Sequence, residues 1–232
     1  MYDAVNCGFR RAAGDILAYI NCDEQYLPGA LAKVLAFFDR HPEIDVLFAD
    51  TVVVDSNGHY LCDRKALTPQ KHHSLVSGNL AFLTCATFFR RRVLEQHNLY
   101  FDPNLRDVGD CDWALRLIKE KVRMTAVREF TSVFTETGAN MNLLPNAQRE
   151  KEALLASAPL WCRKLRRLIV LHFRLRRFFS GAYSRRPYEY SIYTKASPGR
   201  RQTFKVTEPT FRWIRPAPQL ATAATIQSNV GR

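Results

Sequence analysis

The stretch Ala12-Ala13-Gly14-Asp15-Ile16-Leu17-Ala18-Tyr19-Ile20-Asn21-Cys22-Asp23-Glu24-Gln25-Tyr26-Leu27-Pro28-Gly29 decides the fold class. Gly14 is a natural stop for the Ala-rich, helix-like run from Asp3 to Ala13. Ile16 to Ile20 is a continuous apolar run of strand length, the pattern of a strand buried on both faces of a parallel sheet. The polar cluster Asn21 to Gln25 follows at once. Pro28-Gly29 then opens a helix predicted through Phe38, with Leu31, Val34, Leu35 and Phe38 as its apolar stripe. Working outward, Val46 to Val54 and Thr84 to Phe89 read as strands, and Ser56-Asn57-Gly58-His59 as a turn. Asp110 to Lys121 reads as a helix with acids in its first turn and bases in its last. Met124 to Val127 and Thr131 to Phe134 read as two short strands. The alternation is that of an α/β protein.

The chain has 232 residues, and its formal charge of +12 is unevenly placed. Residues 1–150 hold 17 Lys and Arg against 19 Asp and Glu, a balance of −2, whereas residues 151–232 hold 17 against 3, a balance of +14. The six Cys never fall in a C-x-x-C pair, so neither a zinc ribbon nor a disulfide framework is signalled, and a reduced, cytoplasmic chain is expected. The longest candidate apolar run, Leu168 to Phe173, is far short of the ~18 residues that span a bilayer. From Leu160 to Phe179 apolar residues recur at helical spacing among Arg163, Lys164, Arg166, Arg167, Arg174, Arg176 and Arg177. That pattern suits a helix lying in the plane of an anionic membrane surface, or one docked on the rest of the protein with a solvated basic face. Nucleic acid is not the expected partner, because no recognition motif accompanies the charge. The end of the chain, from Ala221, is small and polar and is expected to be disordered.

Two acidic clusters can carry chemistry. Asp23 and Glu24 stand just beyond an apolar strand, where open sheets bind ligands, and paired carboxylates there suit a hard divalent cation that holds phosphate oxygens. The plainer alternative is a cap for the following helix or a solvated loop. Asp107-Val108-Gly109-Asp110-Cys111-Asp112 places three carboxylates in six residues, and their repulsion raises the pKa of at least one toward that of a general base. Here the alternative is ordinary capping by Asp110. The six His lack partners at metal-ligand spacing.

Several blocks in order resemble glycosyltransferase family 2. They are Tyr2-Asp3-Ala4-Val5-Asn6-Cys7-Gly8-Phe9, Ala12-Ala13-Gly14-Asp15-Ile16-Leu17 and Asn21-Cys22-Asp23-Glu24-Gln25-Tyr26-Leu27-Pro28-Gly29-Ala30-Leu31. Thr87-Phe88-Phe89-Arg90-Arg91, Phe101-Asp102 and Gly109-Asp110-Cys111-Asp112-Trp113-Ala114-Leu115-Arg116-Leu117 follow within residues 1–135. The resemblance implies a GT-A fold, Rossmann-like with a mostly parallel sheet, and inverting transfer of a sugar from a nucleotide-diphosphate donor to a glycan or lipid-linked acceptor. It implies that Asp23, with Glu24 beside it, would hold Mg²⁺ or Mn²⁺ on the donor diphosphate. Asp110 would be the general base, Asp112 would orient the site, and Asp3 and Asn6 would border the nucleotide pocket. Glu24 stands where the family often has Asp, and Thr137 where it often has His.

The family's donor-binding strands precede the Asp3–Ala13 helix and have no counterpart here, so the chain is expected to be a fragment, inactive alone. The expected organisation is a partial GT-A domain over 1–150, a basic amphipathic helix over 151–180 and an aromatic and basic tail over 181–232. It would be cytoplasmic, peripheral at the membrane face. The rival readings are a catalytically dead remnant that binds a membrane or partner, and a basic nucleic-acid-binding protein.

Overall fold

The computed structural model describes residues 1–77, 80–137 and 145–213, so the Gly138-Ala139-Asn140 segment and the end of the chain lie outside the described residues. The chain runs α1 (Tyr2–Arg11), β1 (Ile16–Leu17), β2 (Gln25–Tyr26), α2 (Ala30–Arg40), β3 (Val46–Asp55), β4 (Tyr60–Arg64) and α3 (Lys71–Ser77). A 3-10 turn at Thr84–Ala86 leads into β5 (Thr87–Arg90), α4 (Arg92–His97), α5 (Gly109–Lys119) and β6 (Met124–Glu136). Then come α6 (Pro145–Ser157), α7 (Leu160–Lys164), α8 (Arg166–Phe179), β7 (Tyr188–Thr194) and β8 (Ser197–Val206).

One sheet is ordered β1-β5-β3-β6-β2, with β4 added to β3. The α/β class is as expected, but the pairing is less uniform than a mostly parallel sheet. The long β3–β6 pairing is parallel, while β1–β5, β3–β5, β3–β4 and β2–β6 are antiparallel. A parallel pair needs a long crossover, which α4 and α5 supply between β3 and β6; the tight turn at Ser56–His59 can only return β4 antiparallel. β3 is the strand buried on both faces. Val46 and Phe48 point into one core with Trp113, Leu117 and Phe89, and Leu47 and Ala49 into the other with Val34, Phe38 and Phe88. This is the side-chain alternation of a strand expressed in a continuous apolar run.

The run Ile16–Ile20 was expected to play that part and does not. Only Ile16 and Leu17 pair, against Arg90 and Phe89, and Ala18 to Ile20 form an irregular segment. Met124–Val127 and Thr131–Phe134 join into the single strand β6. On α2, Val34 and Phe38 are buried with Ala30, whereas Leu31 and Leu35 are half exposed. Two arginines of the Phe88-Phe89-Arg90-Arg91 block tie the elements together. Arg90 donates to the carbonyls of Phe38 (2.7 Å) and Ile44 (3.0 Å), and Arg91 to that of Ala12 (2.7 Å).

The C-terminal organisation departs most from expectation. The boundary at 150/151 falls inside α6, and the single basic helix is two, broken at Leu165. α6 to α8 pack on α3 and α5 through Leu75, Val76, Leu115, Ala158, Cys162 and Ile169. The described part of the tail is a β-hairpin whose Tyr190, Ile192 and Val206 close over Val52, Val54 and Val133. Its alternation of Tyr188, Tyr190 and Ile192 with Glu189, Ser191 and Tyr193 is a strand signal that the basic charge of the region obscures.

Candidate active site

Tyr19 feels the charge of both acidic motifs. Burial pushes its phenol well above its ordinary pKa; a hydrogen bond with Thr84 opposes this, and the charges of Asp110 and Glu24 add to it. Its ring packs edge-on against Phe101 at 5.7 Å, and Tyr2 stacks on the same Phe101 at 5.0 Å. α1, the segment after β1, and the N-terminus of α5 therefore meet around one aromatic cluster.

The α5 N-terminus is built on close approach. A side chain at Gly109 would put its Cβ 2.3 Å from Tyr2 Cε2, so glycine is required where the Tyr2 ring crosses the helix start. The Asp110 backbone N–H donates to the Tyr2 hydroxyl at 3.2 Å, and the Asp110 carboxylate accepts from the Cys111 N–H at 2.8 Å. Burial pushes the Asp110 carboxyl up to about 6, against the pull of the Cys111 hydrogen bond and the Lys151 ammonium; Asp107 adds a smaller upward push. The raised pKa expected from the acidic cluster is thus present, but desolvation rather than like-charge repulsion is its main cause. Asp112 accepts from Arg116 Nε at 2.7 Å, one turn along the helix.

Glu150 on α6 was not legible as a site residue. Its carboxylate accepts from three successive backbone N–H groups, Arg106 (3.0 Å), Asp107 (2.9 Å) and Val108 (3.0 Å). These bonds overcome a partial desolvation and hold its pKa below the ordinary value. The same helix sends Asn146 to Asp107 Oδ2 at 2.7 Å. α6 thereby fixes the loop that delivers Asp110. No sequence spacing links residues some forty positions apart, so only the charge of Glu150 in a helical run could have hinted at it.

The first acidic motif occupies the turn before β2. Asp23 is exposed, and its carbonyl accepts from Thr135 Oγ1 at 2.5 Å. Glu24 is 5% exposed; Oε2 accepts from the Asn21 N–H at 2.7 Å, while Oε1 is buried without a hydrogen-bond partner. Burial raises the Glu24 pKa, with the Asn21 bonds opposing and Asp23 adding to it. A buried, unpartnered carboxylate oxygen beside an exposed aspartate fits a cation-binding pair. The β7–β8 hairpin steadies this turn, because Gln25 exchanges hydrogen bonds with the Tyr193 backbone (2.8 and 2.9 Å) and Arg201 donates to the Tyr26 carbonyl at 3.0 Å.

Of the α1 residues, Asp3 is exposed in the first turn. Asn6 is buried, and both its polar groups are taken by Phe101: its Nδ2 donates to the carbonyl at 2.8 Å and its Oδ1 accepts from the N–H at 3.0 Å. Its task in this structure is to hold the aromatic floor of the site rather than to face a ligand.

Residues 1–97 match the family model described as glycosyl transferase family 2. That part of the chain is similar to the family. Among solved structures, the chain is similar to S. aureus TarS, with 18% identity and a TM-score of 0.48 over 76% of this chain and 31% of that one. It is also similar to S. aureus TarS 1–349 in complex with UDP-GlcNAc, with 18% identity and a TM-score of 0.45 over 75% of this chain and 52% of that one. The chain thus spans about a third to a half of the length of these structures. A comparison with curated proteins finds no match.

Family 2 glycosyltransferases generally use a divalent metal. Among the described residues no group of three His, Cys, Asp or Glu is placed to hold one unaided. A Mg²⁺-type ion is commonly held by one or two carboxylates with phosphate oxygens and water completing the shell, and Asp23 with Glu24 matches that donor set.

Proposed function

We propose that this protein transfers a sugar, with inversion, from a nucleotide-diphosphate donor to a hydroxyl of a glycan or lipid-linked acceptor. The observation that supports this reading is the pair of desolvated carboxylates, Glu24 with an unpartnered oxygen and Asp110 at the start of α5, whose charges both act on Tyr19. In the reaction the bond from the anomeric carbon to the diphosphate breaks, a bond from that carbon to the acceptor oxygen forms, and the acceptor proton goes to Asp110. A carboxyl with a pKa of about 6 is largely ionised at neutral pH yet basic enough to take that proton. Asp23, with Glu24 behind it, would hold Mg²⁺ or Mn²⁺, which would neutralise the charge growing on the leaving diphosphate. Tyr2 accepts from the Asp110 N–H and Glu150 holds the loop before it, Asp112 orients the helix start through Arg116, and Asp3 borders the nucleotide from the exposed end of α1. A lipid-linked acceptor would bring the enzyme to an anionic membrane surface, peripherally, since among the described residues no helix is long and apolar enough to cross a membrane.

The test is titration of Mn²⁺ and a panel of nucleoside-diphosphate sugars against the chain, with donor turnover followed in parallel. Asp23→Ala should weaken metal-dependent donor binding far more than Glu24→Ala, because the Asp23 side chain is exposed to a ligand and Glu24 is committed in part to Asn21. Metal-independent donor binding, or equal losses in both variants, would overturn the assigned metal site. Neither binding nor turnover with any donor, by this chain and by one supplied upstream with the family's donor-binding strands, would overturn the transferase reading.

A further inference from the structure

The inner face of α8 is accounted for. Phe173 is buried against His73, the rings stacked at 3.6 Å; Arg177 lies over Tyr183 and Arg176 donates to Thr68 Oγ1 at 3.0 Å. Its outer face carries a second apolar stripe. Leu168 (59% exposed), Leu171 (50%), Leu175 (48%) and Phe178 (65%) follow one another at three- and four-residue spacing, with Phe179 (81%) beside them. At about 100° per residue these five fall within one narrow arc, directly opposite the buried one. Trp161 and Leu165 on and after α7 extend the exposed apolar surface. Arg167 and Arg174, seven positions apart and both exposed, flank the arc along one side. Between Glu152 and Glu189 the chain has nine Lys and Arg and no acid. At the stripe's edge, Leu165 and Leu168 share a cavity of about 290 Å³ with Lys71, His72 and His172.

We propose that α7 and α8 dock the protein on an anionic lipid bilayer, with the Leu168–Phe179 stripe inserted among the acyl chains and the flanking cations on the headgroup phosphates. Aliphatic and aromatic side chains bordered by arginine, with no carboxylate on either helix, match a negatively charged interface better than a second copy of the same basic face, which would oppose like charges. Docking deepens the lipid-linked-acceptor reading and rests on it for its purpose, but its geometry stands apart from the sugar chemistry.

The full chain is sedimented with vesicles of phosphatidylcholine alone and of equal parts phosphatidylcholine and phosphatidylglycerol. Binding is expected to the mixed vesicles only, falling as salt is raised. Leu168→Asn with Leu175→Asn and Phe178→Asn, all at exposed positions and so compatible with folding, should lower the partition coefficient by roughly tenfold or more. Arg167→Glu with Arg174→Glu should abolish the preference for phosphatidylglycerol. Vesicle binding unchanged by the apolar triple variant overturns the proposal. So does absence of vesicle binding, including the case where the stripe instead drives a dimer that the triple variant dissociates. Asp110→Asn should bind vesicles as the unaltered chain does while losing transfer, which separates failure of docking from failure of the transferase reading.

Discussion

At the acidic end of the sheet, Glu24 and Asp110 are carboxylates that the fold has drawn away from water; on α8, Arg167 and Arg174 are cations left in it, beside leucines left there too. Both regions are conspicuous in the sequence as clusters of one charge sign. What separates their roles is solvation. Desolvation moves the Asp110 carboxyl to about 6, into the range where it can trade protons with a substrate. Solvated arginines keep their charge at any physiological pH and serve as fixed binding charges. Charge clusters therefore say where to look, and burial says whether the charge is for chemistry or for contact.

The comparison breaks first at Asp110. Asp110→Asn keeps the shape and the Cys111 hydrogen bond but cannot accept a proton, so turnover should fall by about 10² to 10⁴ with donor binding nearly unchanged. In the unaltered chain kcat/KM should fall tenfold per pH unit below about 6, as the base is protonated. Stability carries the opposite sign. A carboxyl whose folded pKa lies above its unfolded value of 3.8 is costly when ionised, so this group lowers stability as pH rises from about 4 to about 6 and has no further effect above. A pH–rate profile without that acid limb would move the base elsewhere.

His73 sharpens the same contrast on the basic side. Burial, with Arg176 and Arg177 adding repulsion, depresses its pKa to about 4, and its Nδ1 is buried without a partner. The imidazole lies flat on Phe173, the residue that docks α8 on α3. A depressed histidine contributes stability that is complete above pH 6.5 and lost as pH falls toward 4, amounting to about 3 kcal/mol at most. Thermal melts of the chain and of His73→Gln should therefore diverge between these limits. Parallel curves would mean that α8 leaves α3 without protonating His73.

How much of this was legible follows the range of the forces involved. Local signals placed α1, α2, β3 and α5 within a few residues and singled out Asp23, Glu24 and Asp110, because helix stripes, apolar runs and helix-start acids are written in consecutive positions. Ile16–Ile20 misled because an apolar run does not state how many of its residues will find a partner strand; Phe89 and Arg90 supply only two. Tyr2, Tyr19 and Glu150 were invisible as site residues, since each acts on Asp110 or its loop from a distant element. The outer stripe of α8 was legible as apolar spacing, but only packing could show that Phe173 faces inward and Leu175 outward.

Gly109→Ala probes a smaller effect than either titration. The new methyl would overlap the Tyr2 ring, which cannot swing aside because Phe101 stacks on it. Overpacking of this kind costs about 1–3 kcal/mol. Melting should show that loss, and the shift of Tyr2 should lower turnover by disturbing the Asp110 N–H to hydroxyl bond. Tyr2→Phe with Gly109→Ala should recover little, since the clash is with ring carbons rather than the hydroxyl. Unchanged stability would mean that α1 and α5 are free to separate, and with them the aromatic floor of the site.

The smallest expected effect falls on Asp112, and it decides between the two aspartates. Its carboxylate forms an ion pair with Arg116 at 2.7 Å, one helical turn away, with both side chains about a third exposed. Such i,i+4 pairs contribute about 0.3–0.5 kcal/mol. Asp112→Asn should therefore shift stability by no more than about that amount, and weakly, since the neighbouring Arg116 keeps an amide oxygen to bond. Its effect on turnover should stay within a few-fold, because Asp112 acts through the set of the helix start and has its charge already matched by Arg116. Asp110 instead accepts a main-chain hydrogen bond from Cys111, and burial outweighs the Lys151 charge to leave its pKa at about 6. A loss of turnover in Asp112→Asn as large as in Asp110→Asn, at unchanged stability, would place the base two residues later and make Arg116 the group that tunes it.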